Sequence, residues 1–419
     1  MASLSHLLRN APNPLTRKSE FVVMMAALMS LNALAIDIML PALDTIASDF
    51  QIERANDRQY LVSAYLLAAG FGSLIFGPLT DRFGRRPVLA VALAGYMAMA
   101  IVCIIVPSFW LLVAARLGHG LFAAGLFVIA QSVVRDRFDG DRMASIMSTI
   151  MIIFMIVPVI APTIGQAILT FGEWHFIFVM LAFASMAANG WMLMRLPETL
   201  DPKHVIGLSP RVLVQKWTLV VTDRVGIGYM LASGISMAAL FGFVNSAQQI
   251  FDTVFDAGDI FPYLFAFIAS GIALANFMNS RIVERFGARR IGHIALIAFI
   301  VISAAQIVAA ETIKSLPVFL ILLTMAMSMV GFTGANFGSI AMQPFGDLAG
   351  AAAAFQSFCR MLIGALGGAL IGQQFDGTTI PLALGFLLSG VVALTVILIA
   401  EKGRLFGPPE PGESAEFVH

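Results

Sequence analysis

Three charged side chains lie well inside apolar runs of this chain: Asp37, Arg116 and Arg360. A charge at the centre of a bilayer costs on the order of 2.5 to 3.5 kcal/mol even on permissive insertion scales, so such residues mark ion or substrate pathways by default. Asp37 is an acid that can take a proton on one side of a membrane and lose it on the other, provided its cavity opens alternately. Counted from Glu20 at about 1.5 Å per residue, it sits roughly 25 Å into an apolar core about 30 Å thick, deep but not central. Its plainer role is to cap the turn before Pro41. Arg116, at comparable depth, could pair with Asp37 and put proton and substrate in competition for one acid. Arg360 lies about ten residues into its run, near the midplane. It suits an anionic or strongly polar substrate; its plainer role is to bind helix-end carbonyls at a helix contact.

These residues need a frame made of membrane helices. Hydrophobic residues make up 59% of the 419 positions and charged residues 12%, and apolar windows of about 20 residues recur along the whole chain. Spans are predicted near 20–41, 59–79, 88–107, 110–132, 143–168, 175–195, 223–248, 260–280, 291–310, 317–340, 350–372 and 381–401, an all-α integral membrane protein. The even count puts both termini on one side. Of the 25 Lys and Arg residues, 20 fall on that side, from Arg9, Arg17 and Lys18 to Lys402 and Arg404, against Arg54, Arg58 and Lys314 opposite. The termini and the 196–222 connection are therefore predicted to be cytoplasmic. The net charge of zero hides this polarity, and the basic residues read as solvated anchors at helix ends, with no nucleic-acid partner implied. Cys103 and Cys359 lie inside apolar spans as small packing residues, without disulfide or metal spacing. The first apolar run is long enough to span and lacks a small-residue cleavage site, so it reads as a retained helix.

The polar stretch 196–222, with Pro197, Pro202 and Pro210, divides the spans six and six. The predicted organisation is an N-terminal six-helix bundle over 1–195, a cytoplasmic linker over 196–222, a C-terminal six-helix bundle over 223–401 and a cytoplasmic tail over 402–419. Asp81-Arg82-Phe83-Gly84-Arg85-Arg86 follows the second span, and Glu284-Arg285-Phe286-Gly287-Ala288-Arg289 follows the second span of the other half. Such a repeat implies two related bundles with a central cavity between them near the midplane.

The stretch Gly77-Pro78-Leu79-Thr80-Asp81-Arg82-Phe83-Gly84-Arg85-Arg86 resembles the G-x-L-x-D-R-x-G-R-R loop of the major facilitator superfamily at every defining position. Leu34 to Leu43, around Asp37 and Pro41, resembles the first-helix motif of its twelve-helix drug:proton antiporters. Val133-Val134-Arg135-Asp136 and Leu196-Pro197-Glu198-Thr199-Leu200 bring the chain nearest to the bicyclomycin/chloramphenicol resistance subgroup. The resemblance covers the first 200 residues well and the second half through hydropathy and the degenerate repeat of the loop motif. It implies the major facilitator fold, with Asp37 as proton carrier and cation-recognising acid and Arg116 as its coupling partner. A gate is implied at Gly77, Asp81, Arg82, Gly84, Arg85 and Arg86, closing on the start of helix eleven near Gly350. Gly77 would allow close helix approach, and Asp81 would sit at a positive helix N-terminus beside arginines. The family's R-x-x-Q-G motif in the fourth helix appears as Arg116-Leu117-Gly118-His119-Gly120, with His119 for Gln; its imidazole either tunes coupling or simply bonds between helices. The fifth helix keeps Pro162 and Gly165 of the antiporter pattern G-x-x-x-G-P-x-x-G-G but replaces three glycines with Val157, Ala161 and Gln166; small residues and prolines still permit a bend.

Candidate substrate contacts, besides Asp37 and Arg360, are Tyr65, Gln131, Phe241, Asn245, Gln248, Asn276, Asn336 and Gln356, each also suited to joining helices. The six histidines show no metal-ligand spacing, and no nucleophile–base set or phosphate-cradling Gly-Lys loop occurs, so neither an enzyme nor an ATP-driven pump is expected. The reading is a proton-coupled exporter of drugs or amphipathic molecules in the inner membrane, without cofactor or metal, able to work as a monomer. Its rival is a proton-coupled importer or facilitator of a small polar metabolite, favoured by Arg360 and the eroded fifth-helix motif.

Overall fold

The computed structural model describes residues 11–12, 15, 17–201, 210–346 and 348–407. Every regular element among them is helical, and twelve helices are long and apolar enough to cross a membrane. Helices are the expected outcome for such sequences, since a chain in hydrocarbon must satisfy its backbone N–H and C=O groups internally. The chain divides into two compact units, Met1–Ser209 and Pro210–His419. Residues 202–209 of the predicted linker and 408–419 of the predicted tail lie outside the described residues.

The first unit contains α1 (Lys18–Asp37), α2 (Leu43–Asp49), α3 (Tyr60–Phe83), α4 (Arg85–Ile105), α5 (Phe109–Arg137), α6 (Gly140–Phe171) and α7 (His175–Arg195). Ser108 caps α5 by accepting from the Leu111 amide. Within the unit α5 packs against α3, α4 and α1, α4 packs against α7, and α6 packs against α1. The α3–α5 crossing is close because Gly120 faces the Tyr65 carbonyl and Gly72 the Leu121 carbonyl; a Cβ at either would overlap that oxygen.

The second unit contains α8 (Pro210–Thr222), α9 (Arg224–Gln249), α10 (Phe261–Phe286), α11 (Ala288–Thr312), α12 (Leu316–Met342), α13 (Ala349–Gln373) and α14 (Ile380–Ala400). Asp223 caps α9 through the Gly226 amide at 2.6 Å, and Pro262, Pro317 and Pro381 occupy first-turn positions where no donor is lost. The pairing pattern repeats that of the first unit: α12 packs against α10, α11 and α9, α11 against α14, and α13 against α9. The joint between second and third spans repeats too, with Gly84 at φ +96° and Gly287 at φ +81°. A left-handed glycine there reverses the chain in one residue.

Two sequence expectations change. The first span does not end at Pro41. Pro41 lies in a short 3-10 turn, Leu40–Ala42, that hands the chain to α2, so the span runs Lys18–Asp49 and continues well beyond Asp37. Asp37 is therefore more central along its span than a 20–41 helix places it. The Gly77–Arg86 motif is not a loop: Gly77 to Phe83 belong to α3, Arg85 begins α4, and only Gly84 intervenes. Within the 196–222 connection, residues 210–222 form α8, packed on α9 and α13.

Candidate functional site

Asp37 is the last residue of α1 and is 7% exposed. Among the described residues its carboxylate makes no hydrogen bond or ion pair. The backbone leading to it is held from three sides. Tyr96 of α4 donates to the Leu31 carbonyl at 3.0 Å, and Tyr65 of α3 donates to the Asn32 carbonyl and side-chain oxygen at 3.1 and 2.9 Å. Arg116 of α5 donates to the Ala35 carbonyl at 3.0 Å. On the fourth side Gly165 of α6 abuts the Ile38 carbonyl so tightly that a Cβ there would overlap it. The end of α1 is thereby immobilised while the carboxylate stays open, which is what a proton or cation site needs: a fixed base with unused lone pairs.

Arg116 does not pair with Asp37. Its Nε donates to the Leu61 carbonyl at 3.1 Å, one terminal nitrogen meets Ala35 and the other meets His119 Nδ1 at 3.1 Å. The guanidinium also stacks 4.3 Å from the Tyr65 ring centroid, and the residue is wholly buried. Terminal carbonyls of a helix lack intrahelical partners and attract a cation, so Arg116 acts on the end of α1 rather than on its acid. With Nδ1 accepting from arginine, His119 carries its proton on Nε2, which finds no hydrogen-bond partner among the described residues; its ring lies edge-on to Tyr96 at 4.1 Å. Pro162 and Gly165 lie within α6, which runs unbroken from Gly140 to Phe171.

The predicted gating residues form a polar joint at one end of the unit. Arg85 donates to Asp136 through Nε at 2.8 Å and also to Asp81 and Thr80. Arg86 donates to the carbonyls of Leu196 and Leu193. Asp81 lies in the last turn of α3, and the acid at the positive end of α4 is instead Glu198, which accepts from the amides of Arg85 and Arg86 at 2.9 and 3.1 Å and from those of Thr199 and Leu200. Gly84 makes room for that carboxylate, whereas a Cβ at Gly77 would meet open space, so Gly77 is not a close-contact position. Arg82 is exposed.

In the second unit Arg289 occupies the place of Arg86. It donates to Glu401 at 2.8 Å and to Gln343 at 3.2 Å. Tyr229 donates to the same Glu401 oxygen at 2.7 Å and meets His293 Nε2 at 2.8 Å, while His293 Nδ1 accepts from the Phe406 amide at 3.2 Å. The remaining candidates are dispersed. Asn336 donates to Asn279 and to the Phe332 carbonyl, Gln356 to the Gly338 carbonyl, and Phe241 packs against Gly364 and Gly368. Asn245 and Gln248 are buried in α9, Asn276 is half-buried and Gln131 is exposed. Arg360, half-buried in mid-α13, has no hydrogen bond, ion pair or ring contact among the described residues.

Sequence reasoning passed over Asn32, Tyr96 and Glu198. Glu198 carried a signal, an acid just after a helix end within a quoted motif; Asn32 and Tyr96 look like ordinary residues of apolar helices.

The family model described as Major Facilitator Superfamily matches residues 25–369. The chain is 27% identical over 384 residues to the bicyclomycin resistance protein homolog of Haemophilus influenzae, covering 90% of this chain and 94% of that protein. It is 25% identical over 389 residues to the multidrug resistance protein MdtL of Escherichia coli, covering 92% and 97%. Among solved structures, the D-xylose-proton symporter superposes with a TM-score of 0.69 at 14% identity, covering 92% of this chain and 99% of that one.

Proposed function

This chain belongs to the Major Facilitator Superfamily, and from that premise we propose that it exports drugs or other amphipathic small molecules in exchange for protons. It is a multi-pass membrane transporter and not an enzyme. The observation that carries the proposal is the open carboxylate of Asp37 on a backbone clamped by Tyr96, Tyr65, Arg116 and α6. An acid at that depth with no partner among the described residues can hold a proton or a cationic group of the cargo, but not both. Exchange follows when the inward-facing and outward-facing states differ in affinity for the two. The names of the bicyclomycin and multidrug resistance relatives support drugs as the cargo class.

The remaining parts of this reading are that the protein sits in the inner membrane with both termini cytoplasmic, works as a monomer of two six-helix bundles (1–195 and 223–401, joined by the 196–222 linker and followed by the 402–419 tail), and is driven by the proton gradient without a cofactor. The joint around Asp81, Arg85 and Glu198 serves as the rigid base of a gate. The test is proton release from unbuffered purified protein on adding cationic, neutral and anionic amphiphiles, wild type beside Asp37→Asn. Release by several unrelated compounds, lost in the variant, supports exchange at Asp37. Binding without release by any of them overturns it. Uptake into everted vesicles under an imposed pH gradient then distinguishes export from import.

A further inference from the structure

Among the described residues the buried arginines are Arg58, Arg85, Arg86, Arg116 and Arg289, and each has a partner: Asp44, the Asp81–Asp136 pair, the Leu193 and Leu196 carbonyls, the ends of α1 and α3, and Glu401. Arg360 breaks that pattern. It stands eleven residues after the start of α13 and thirteen before its end, about 16 Å or more from either terminus at helical rise. That is farther than a side chain reaches, so snorkelling to an interface does not relieve it. Among the described residues no acid acts on it and no carbonyl or ring takes its donors. Gln356, one turn earlier on the same side of the helix, is tied to the Gly338 carbonyl through its amide nitrogen, which leaves its amide oxygen as a nearby acceptor.

A half-buried guanidinium whose five donors meet no partner among the described residues is costly unless a further group satisfies it. Its planar fork matches a carboxylate two bonds at a time. We propose that Arg360 receives an anionic group of the transported molecule, so that the cargo class includes acidic or zwitterionic amphiphiles bearing a carboxylate. This rests on the transport reading above but on a different residue and a different charge. It makes Arg360 a specificity residue: neutral relatives of such a cargo lose the paired interaction, and cationic ones meet a like charge.

The experiment uses full-length purified protein at neutral pH with no gradient. Quenching of its tryptophan fluorescence reports binding of three probes on one scaffold: 9-anthracenecarboxylate, its methyl ester and 9-(aminomethyl)anthracene. Wild type should prefer the carboxylate. Arg360→Gln should weaken the carboxylate by roughly ten- to hundredfold, the range for loss of a hydrogen bond to a charged group, and change the ester less than about twofold. Arg360→Lys should fall between and carries the test if the Gln variant does not fold. Equal affinities of wild type for all three probes, no binding of the carboxylate, or unchanged carboxylate binding in both variants overturns the proposal. So does chloride that stabilises wild type but not Arg360→Gln against heat while the carboxylate fails to displace it, since a halide would then be the partner. Because no gradient is applied, the two readings fail separately: wild type that binds the carboxylate selectively but releases no protons with any compound sinks the export reading and leaves this one standing, whereas proton release lost in Asp37→Asn together with carboxylate binding unchanged in both Arg360 variants does the reverse.

Discussion

Arg116 donates to the carbonyl of Ala35, two residues before Asp37, and to no carboxylate among the described residues. The cation and the acid that a sequence reader pairs are neighbours through the backbone only. The predicted consequence is a small coupling energy. In a double-mutant cycle of Asp37→Asn and Arg116→Lys read by thermal unfolding, the two effects should add within about 0.5 kcal/mol, whereas a direct buried pair would show 0.5–3 kcal/mol. Arg116→Lys alone should be destabilising, since an ammonium cannot span the Leu61 and Ala35 carbonyls and stack on Tyr65 together.

Glycine substitutions separate contact from open space. Gly165→Ala and Gly120→Ala each push a methyl into a carbonyl oxygen and should cost about 1–3 kcal/mol by overpacking. Gly77→Ala meets nothing within 4 Å and should stay within about 0.5 kcal/mol of wild type. Melting temperatures of the three variants in one detergent decide the matter; a Gly77 variant as damaged as the other two would refute the placement of that residue.

Glu198 caps α4 with a carboxylate that accepts four backbone amides. Glu198→Ala should lose about 0.5–2 kcal/mol, the usual span for a helix cap, and speed hydrogen exchange at Arg85 and Arg86. Glu198→Gln should recover part of the protection. Equal exchange in all three proteins would remove Glu198 from the joint.

Cys103 and Cys359 are both buried. A membrane-permeant maleimide should label neither in the folded protein and both after denaturation, as measured by intact mass.

The helical layout was readable because apolar runs broken by charge and glycine leave few alternatives, and the His175–Arg195 helix matches its predicted span end for end. Pro41 misled, because a proline in a first-turn position interrupts a pattern without ending a span. Within the site, Asp37 was legible as a lone acid in a greasy segment. The carbonyl clamps were not, since any helix residue offers a carbonyl and periodicity does not say which one Tyr65, Tyr96 or Arg116 reaches. The Tyr229–His293–Glu401 chain was invisible for a related reason: its members are 64 and 172 residues apart, and none stands out locally.

That chain bears on how the protein should be handled at the bench. Glu401 is bound by Tyr229 and Arg289, and the Phe406 amide sits on His293, so residues 401–406 are part of the folded body. A fluorescent reporter or affinity handle fused directly after Ala400 would amputate a structural joint, while one placed beyond Gly407 would leave it whole. Loss of expression in a shorter fusion would then report damage to the second unit and say nothing about transport.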